Sequence, residues 1–311
     1  MRFCAGWLRF GVVLTLIGLT SCSGGGSGQE ASAPAHSSTD MPVIGLAISN
    51  VSNPFFKALK QGAEQAARES GFRLIVLDAH DDTARQQADI QSLIARKVRV
   101  LLLNPTDSQQ VAASVAAANR AGIPVVTLDR SVSAGNVVAH ISSDNMAGGR
   151  MAGEYIKDRL RGKGRVVELL GLAGASASIE RDQGFNLVLH EAKGLHLLAR
   201  VSADFDRQKA EQQMKAIIEQ YGKIDAVFAL NDEMALGALK ALQAAGQDRV
   251  LVVGFDATSD ALAAIRAGKM AATIAQRPDM IGRQGVLTAR QLLEKAPIES
   301  YIPIPLELVK I

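Results

Sequence analysis

From Pro42 onward the sequence alternates short apolar runs with longer Ala-rich amphipathic stretches, and this alternation leaves few folds open. Val43–Ser49 (VIGLAIS) is an apolar run, as expected of a strand buried on both faces. Asn53-Pro54 then opens an amphipathic helix, with the proline at an early position where its missing N–H costs nothing. The helix is expected to reach about Ser70, with Gly71 ending it. Further strands are expected at Leu74–Leu77, Val100–Leu103, Val125–Leu128, Val166–Leu170, Ala226–Ala229, Val250–Val253 and Ala272–Ala275. Helical stretches such as Asp107–Ala121, Gln208–Tyr221 and Glu233–Ala245 separate most of them. Strands alternating with helices predict parallel sheets with helices on both faces, an α/β architecture. Roughly ten such units are too many for one compact doubly wound sheet, and 311 residues suit about two domains at ~150 residues each. Two doubly wound lobes are therefore expected. A weak internal echo agrees: LLLNP (101–105) and TLDR (127–130) resemble FALND (228–232) and VGFDA (253–257), each a strand followed by a polar residue.

The bulk composition removes several classes of function. Hydrophobic residues make up 48% of the chain, enough for buried cores, and net charge is only +3, from 34 basic and 31 acidic residues. With no basic run outside the extreme N-terminus, charge gives no support for nucleic-acid binding. The cysteines are Cys4 and Cys22 alone. If the chain is cut before Cys22, one remains, which leaves no intrachain disulfide and disfavours a Cys/His metal site.

The first residues read as a processing segment. Arg2 and Arg9 give a basic start, and Phe10–Leu19 is almost wholly apolar. Such a run is too short to cross a bilayer, which needs ~20 residues, but fits the apolar region of an export signal. Leu19-Thr20-Ser21-Cys22 resembles the bacterial lipobox, in which small residues precede the cut and the cysteine thiol carries the lipid. The alternative is an ordinary signal peptide with a chance cysteine. Ser23–Asp40 is rich in Gly, Ser, Ala and Pro without apolar periodicity, and reads as a flexible tether. The expectation is a lipoprotein signal peptide over 1–21 and a tether over 22–41. The protein is then exported to the periplasm or cell surface, with lipidated Cys22 as its membrane anchor.

In open α/β sheets ligands bind at the carboxyl ends of the strands. The polar and aromatic residues just after each apolar run are Asn53 with Phe55 and Phe56, Asn104, Asp129 with Arg130, Asn231 with Asp232, Asp256 and Gln276. Arg181 stands in a small-residue loop, GLAGASASIER, after another strand. The charges of Asp129, Arg130, Arg181 and Asp256 sum to zero. Equal numbers of carboxylates and guanidiniums, with planar amides from Asn53, Asn231 and Gln276, suit a neutral ligand rich in hydroxyls, because charge-assisted bonds to hydroxyls are strong. Phe55 and Phe56 offer apolar faces. Each residue also has a plainer reading: Asp or Asn after a strand is often a helix cap or turn, a Phe pair is often core, and Arg181 beside Glu180 could lie at the surface.

With these residues in hand, the chain resembles the type I periplasmic-binding-protein family of bacterial ABC transport, over nearly all of Val43 to Lys310. The stretches that carry the resemblance are SNPFF (52–56), LLLNPTDS (101–108), PVVTLDR (124–130), HISSDN with AGG (140–149), IERDQGF (179–185), ADFDR (203–207), FALNDEMALGALKALQAAG (228–246), VVGFDAT (252–258) and AATIAQRPDMIG (271–282). The resemblance implies two doubly wound parallel-sheet lobes joined by a three-segment hinge. They would comprise 42–143 with 277–305 and 144–276 with 306–311. It implies a monosaccharide held by Asn53, Phe55, Phe56, Asp129, Arg130, Arg181, Phe205, Asn231, Asp256 and Gln276, with Phe205 added by the resemblance alone. Phe55, Phe56 and Phe205 would sandwich the sugar ring, and Gln276 would sit at the hinge. D-ribose is the implied ligand, with allose or another pentose or hexose as the alternative. An ABC permease in the inner membrane is the implied partner, and no metal or other cofactor is needed. The protein is expected to be a monomer. A tethered sensor that shows its closed form to a chemoreceptor or membrane kinase is a further role.

Enzyme and repressor readings find less support. The sequence has no G-x-x-x-x-G-K-[ST], G-x-G-x-x-G or G-x-S-x-G motif. Asp129 and Asp256 could form an acid–base pair only if the neighbouring arginines did not hold both ionised, which is expected of them. Repressors that share a two-lobe fold carry a DNA-binding headpiece where this chain has an export signal and tether.

Overall fold

The computed structural model describes residues 41–311. The expected signal peptide, the Cys22 lipidation site and the tether up to Asp40 lie outside the described residues. The first lobe begins with β1 (Val43–Ile48), α1 (Pro54–Glu69), β2 (Arg73–Asp78), α2 (Thr83–Ala95), β3 (Leu101–Leu103), α3 (Ala112–Arg120), β4 (Val125–Leu128) and β5 (Ala139–Ser143). The second contains α4 (Asn145–Arg159), β6 (Lys163–Leu170), α5 (Ser176–Glu191), β7 (Gly194–Ser202), α6 (Arg207–Tyr221), β8 (Ala226–Ala229), α7 (Asp232–Ala244), β9 (Leu251–Asp256), α8 (Ser259–Arg266) and β10 (Ala272–Ala275). The chain ends with α9 (Pro278–Leu293), β11 (Tyr301–Ile304) and β12 (Glu307–Lys310).

Two six-stranded sheets result, ordered β11-β5-β4-β3-β1-β2 and β12-β10-β9-β8-β6-β7. All pairings are parallel except β10 with β12, which is antiparallel. The central strands are buried on both faces, which is why they read as unbroken apolar runs. The chain crosses between sheets three times, after β5, after β10 and between β11 and β12. After these crossings α4 packs on α5 of the second lobe, and α9 packs on α1 of the first.

The two helix pairs touch backbone to backbone. A Cβ on Gly282 would lie 2.0 Å from Leu59 O, and one on Gly62 would lie 2.1 Å from Asp279 O. Gly149 and Gly184 do the same for α4 and α5, facing Arg181 O and Met146 O at 2.1 Å. Only glycine permits such an approach. It brings each pair of helices, consecutive for α4 and α5 and far apart in sequence for α1 and α9, close enough to cover its sheet.

The lobes repeat one another in detail. Ala79 N donates to Ile48 O at 3.0 Å, and Ala203 N donates to Leu170 O at 2.8 Å. Two left-handed residues follow each alanine, His80 and Asp81 (φ 52° and 60°) in one lobe, Asp204 and Phe205 (φ 54° and 61°) in the other. An aspartate then caps the next helix, Asp82 on Arg85 N and Asp206 on Lys209 N. DAHDD (78–82) and SADFD (202–206) are therefore one structural turn used twice.

Two local expectations need correction. The helix expected from Asp107 starts at Ala112. The Asp107 carboxylate instead accepts from the backbone of Gln109 and Gln110 and holds a turn. Arg181, expected in a loop, lies within α5. The small residues that suggest a loop begin a helix there because α4 packs directly on it.

Candidate functional site

The carboxyl ends of both sheets converge on one cavity that encloses about 250 Å³ not filled by protein atoms. Asn53, Phe55, Phe56, Asp129 and Arg130 line it from the first lobe, and Arg181, Phe205, Asn231 and Asp256 from the second. Ala177 also lines it, a residue too featureless for sequence reasoning to single out. Gln276 is not among the lining residues. It stands beside Asp256, whose Oδ1 accepts from its Nε2 at 2.8 Å.

Local backbone chemistry sets each side chain. Asn53 and Asn231 cap α1 and α7, their Oδ1 atoms accepting from Phe55 N and Met234 N, each at 2.9 Å. Capping and cavity lining are thus compatible in one residue, because the cap uses the amide oxygen; the Asn231 NH₂ group also donates to Phe205 O at 3.4 Å. Asp129 and Asp256 follow β4 and end β9, the equivalent strands of the two lobes, and both have positive φ, 64° and 116°. Such a conformation costs a non-glycine residue ~1–3 kcal/mol and is typical of functional sites. It presents both carboxyls at the strand ends.

The arginines are anchored by groups other than the acids. Arg130 Nη1 donates to Pro105 O at 3.0 Å, and its guanidinium lies over the rings of Phe56 and Phe205, 4.9 and 5.4 Å from their centroids. Arg181 donates from Nη1 to Leu230 O at 2.7 Å and from Nε to Asn145 Oδ1 at 2.8 Å, and lies 3.8 Å over Phe255. Each acid–arginine pair is loose: Asp129 to Arg130 and Asp256 to Arg181 are both 3.8 Å at closest approach. Buried Asp129 Oδ1, Arg130 Nε and Gln276 Oε1 have no hydrogen-bond partner among the described residues. Buried polar atoms are rarely left unpaired, so the two on the lining residues Asp129 and Arg130 mark the cavity as the place for a polar ligand.

Burial dominates the electrostatics. It pushes the Asp129 carboxyl upward against the pull of Arg130 and Arg181. Asp256 is driven well above the usual carboxylate range by burial, again against Arg181. Both guanidiniums are shifted down by burial. Desolvation, which the sequence does not display, thus works against the arginines' attraction across 3.8 Å and raises both carboxyls. A cavity with two acids, two guanidiniums and three phenyl rings can give and accept hydrogen bonds around an uncharged polyol while covering its C–H faces.

Asn104 and Asp232, also at strand ends, support the site from behind. Asn104 Oδ1 accepts from Ser49 Oγ at 2.6 Å, and its Nδ2 donates to Leu128 O at 3.1 Å, the carbonyl just before Asp129. Asp232 accepts from Thr258 N and Thr273 Oγ1, each at 2.7 Å, and braces the segment after Asp256. Four further residues escape sequence reasoning. Ser108 and Ser131 of the first lobe meet Gly174 and Ser176 of the second through hydrogen bonds beside the cavity. Serines and a glycine in polar loops and at a helix start carry no periodic signal by which to find them.

A family model described as periplasmic binding protein domain matches residues 44–297. The ribose import binding protein of Haemophilus influenzae is 47% identical over 277 residues, covering 89% of this chain and 94% of that protein. The ribose import binding protein of Escherichia coli is 47% identical over 266 residues, covering 86% and 90%. Among solved structures, an ABC transporter solute-binding protein from Bacillus halodurans with bound myo-inositol superposes with a TM-score of 0.83 at 33% identity, covering 87% of this chain and 94% of that one.

Proposed function

The chain belongs to the periplasmic binding protein family, and we propose that it binds D-ribose between its lobes and delivers it to an ABC permease. The observation that carries this reading is the cavity lined by Asp129, Arg130, Arg181 and Asp256 between Phe55, Phe56 and Phe205. Four charges summing to zero favour an uncharged ligand, and rings from both lobes can cover the C–H faces of one sugar. The relatives named for ribose import support that sugar over other polyols.

The mechanism follows from the division of the site. Asn53, Phe55, Phe56, Asp129 and Arg130 belong to one lobe, and Arg181, Phe205, Asn231 and Asp256 to the other, so a ligand is fully held only when the lobes meet. Segments 42–143 with 277–305 and 144–276 with 306–311 move as the two bodies, about the three crossings. Sugar then shifts the equilibrium towards closure, because it bonds both halves at once, and the permease reads the closed shape. The protein binds and releases its ligand unchanged, as a monomer held to a membrane by lipidated Cys22 after export.

A thermal-shift titration of the mature protein against pentoses and hexoses tests the assignment. Ribose raises the melting temperature by mass action. No shift with ribose, or a larger one with another sugar, removes it.

A further inference from the structure

Helix α5 carries Arg181 and Ala177 into the cavity, yet its N-cap residue, Ala175, has no side chain to accept from the first turn. The acceptor comes from the other lobe. Ser176 N donates to Ser108 Oγ at 3.3 Å, and Ser108 Oγ in turn donates to Ser131 O at 2.6 Å. The return contact is equally specific, with Ser131 N donating to Ser176 Oγ at 2.9 Å. Ser108 N completes the set by donating to Gly174 O at 2.8 Å. Three of these four bonds cross between lobes, and Ser108 and Ser176 are both buried. None of the four residues lines the cavity.

We infer that Ser108, Ser131, Gly174 and Ser176 form a latch that holds the lobes together without touching the sugar, with Ser108 capping α5 from the opposite lobe. Opening breaks all three crossing bonds and leaves the first turn of α5 to water. Ser131 follows Arg130 directly and Ser176 precedes Ala177, so the latch and the cavity wall close as one unit. Gly174 is required at its place: a Cβ there would meet Asp107 Oδ2 at 2.2 Å, and that carboxylate is fixed by Gln109 and Gln110. Ligand affinity scales with the fraction of protein already in the competent, closed state. Ser108 therefore acts as a positioning residue that sets affinity through the closure equilibrium. The inference rests on the solute-binding reading only for its affinity measurement.

The experiment uses the mature chain with Cys22 replaced by serine and a spin label on Ala84→Cys, an exposed site in the first turn of α2. Paramagnetic relaxation of second-lobe amides, read without sugar, reports the closed fraction even when it is small. Ser108→Ala is expected to lower that fraction about tenfold, and to speed ribose dissociation about tenfold with little change in association (~1.4 kcal/mol). Ser108→Thr, which keeps the hydroxyl, restores both. Ser176→Ala removes the acceptor on the other lobe and lowers the closed fraction too, which guards against a purely local effect of Ser108→Ala. Unchanged relaxation in both alanine variants overturns the latch. So does a loss at Ser108 that Ser176→Ala does not share. If the relaxation responds as expected but the parent protein fails to bind ribose, the latch stands and the ribose assignment falls.

Discussion

Arg181 and Asp256 carry opposite charges 3.8 Å apart in the cavity wall, yet each makes its short bonds elsewhere. Arg181 is held by Leu230 O and Asn145 Oδ1, and Asp256 by Gln276 Nε2. The pair is close enough for each to stabilise the other's charge, and loose enough for a hydroxyl to bond both. A tight bidentate pair would satisfy itself and leave less for a ligand.

Truncating either partner should therefore cost more than one ordinary hydrogen bond. Arg181→Ala or Asp256→Ala is expected to weaken ribose binding by at least ~2 kcal/mol, about 30-fold, because the remaining buried charge loses its counterpart. Isothermal titration calorimetry measures this directly. Unchanged affinity would falsify the assignment of these two residues.

Beneath the second sheet's outer face, Glu168 on β6 is fully buried, with Asp182 and Asn186 of α5 and Arg200 of β7 around it. Burial first, then the neighbouring Asp182 carboxylate, push its pKa up to about 8 against Asn186 and Arg200. A carboxyl whose folded pKa is raised stabilises the fold below its unfolded value and loses that contribution as pH rises through the folded one. The window thus runs from about 4.5 to about 8. Asp232, pushed up to about 7 mainly by burial, acts in the same direction. Glu168→Gln is expected to raise stability at pH 8 and flatten the decline by up to one proton's worth, ~1.4 kcal/mol per pH unit. Urea melts at pH 5, 6.5 and 8 check it; parallel curves for variant and parent would mean that Glu168 is ionised throughout.

Gly149 links helix packing to the site, since its Cα faces the carbonyl of Arg181 itself. In Gly149→Ala the new methyl would sit 2.1 Å from that oxygen, forcing α4 and α5 apart. Overpacking of this kind costs ~1–3 kcal/mol, and each kcal/mol lowers Tm by about 2–4 °C for a domain of 150–250 residues. The same displacement moves Arg181, so ribose affinity should fall together with Tm. A variant that melts lower but binds as tightly as the parent would separate the two roles.

Cys22 is the proposed point of attachment. Expressed with its signal in a bacterium, the full chain should take up labelled fatty acid and follow the membrane fraction, whereas Cys22→Ser should do neither. Membrane association surviving in the variant would point to another anchor.

Much of this molecule is legible in its sequence, and the legible parts share a cause. Strands buried on both faces must be apolar throughout, and covering helices must show a 3.6-residue period, so the α/β alternation is written locally. A ligand site at strand ends requires polar residues just after apolar runs, and so Asn53, Asp129, Asn231 and Asp256 stand out from the residue pattern alone. Phe205 does not. It occupies the same turn that holds Asp81 in the first lobe, and only the juxtaposition of the sheets turns its ring into a cavity wall. Arg181 reads as a loop residue because the glycine and serines around it are poor helix formers. Packing of α5 on α4, through Gly149 and Gly184, overrides that preference.

What the sequence alone determined is the alternation and order of the strands with unbroken apolar runs, and the chemical kind of the groups at their ends. β5 and the half-exposed strands β7, β11 and β12 carry no such run and are not among the expected strands. The tertiary structure decided which of those groups meet: that the acids and guanidiniums attract without pairing tightly, that desolvation raises the acids despite the arginines, and that Ser108 caps a helix of the opposite lobe. The reason is physical. Periodicity and turn chemistry act over a few neighbouring residues, whereas burial and interlobe bonds depend on distances between residues 45 to 75 positions apart, which only the closed arrangement of the chain sets.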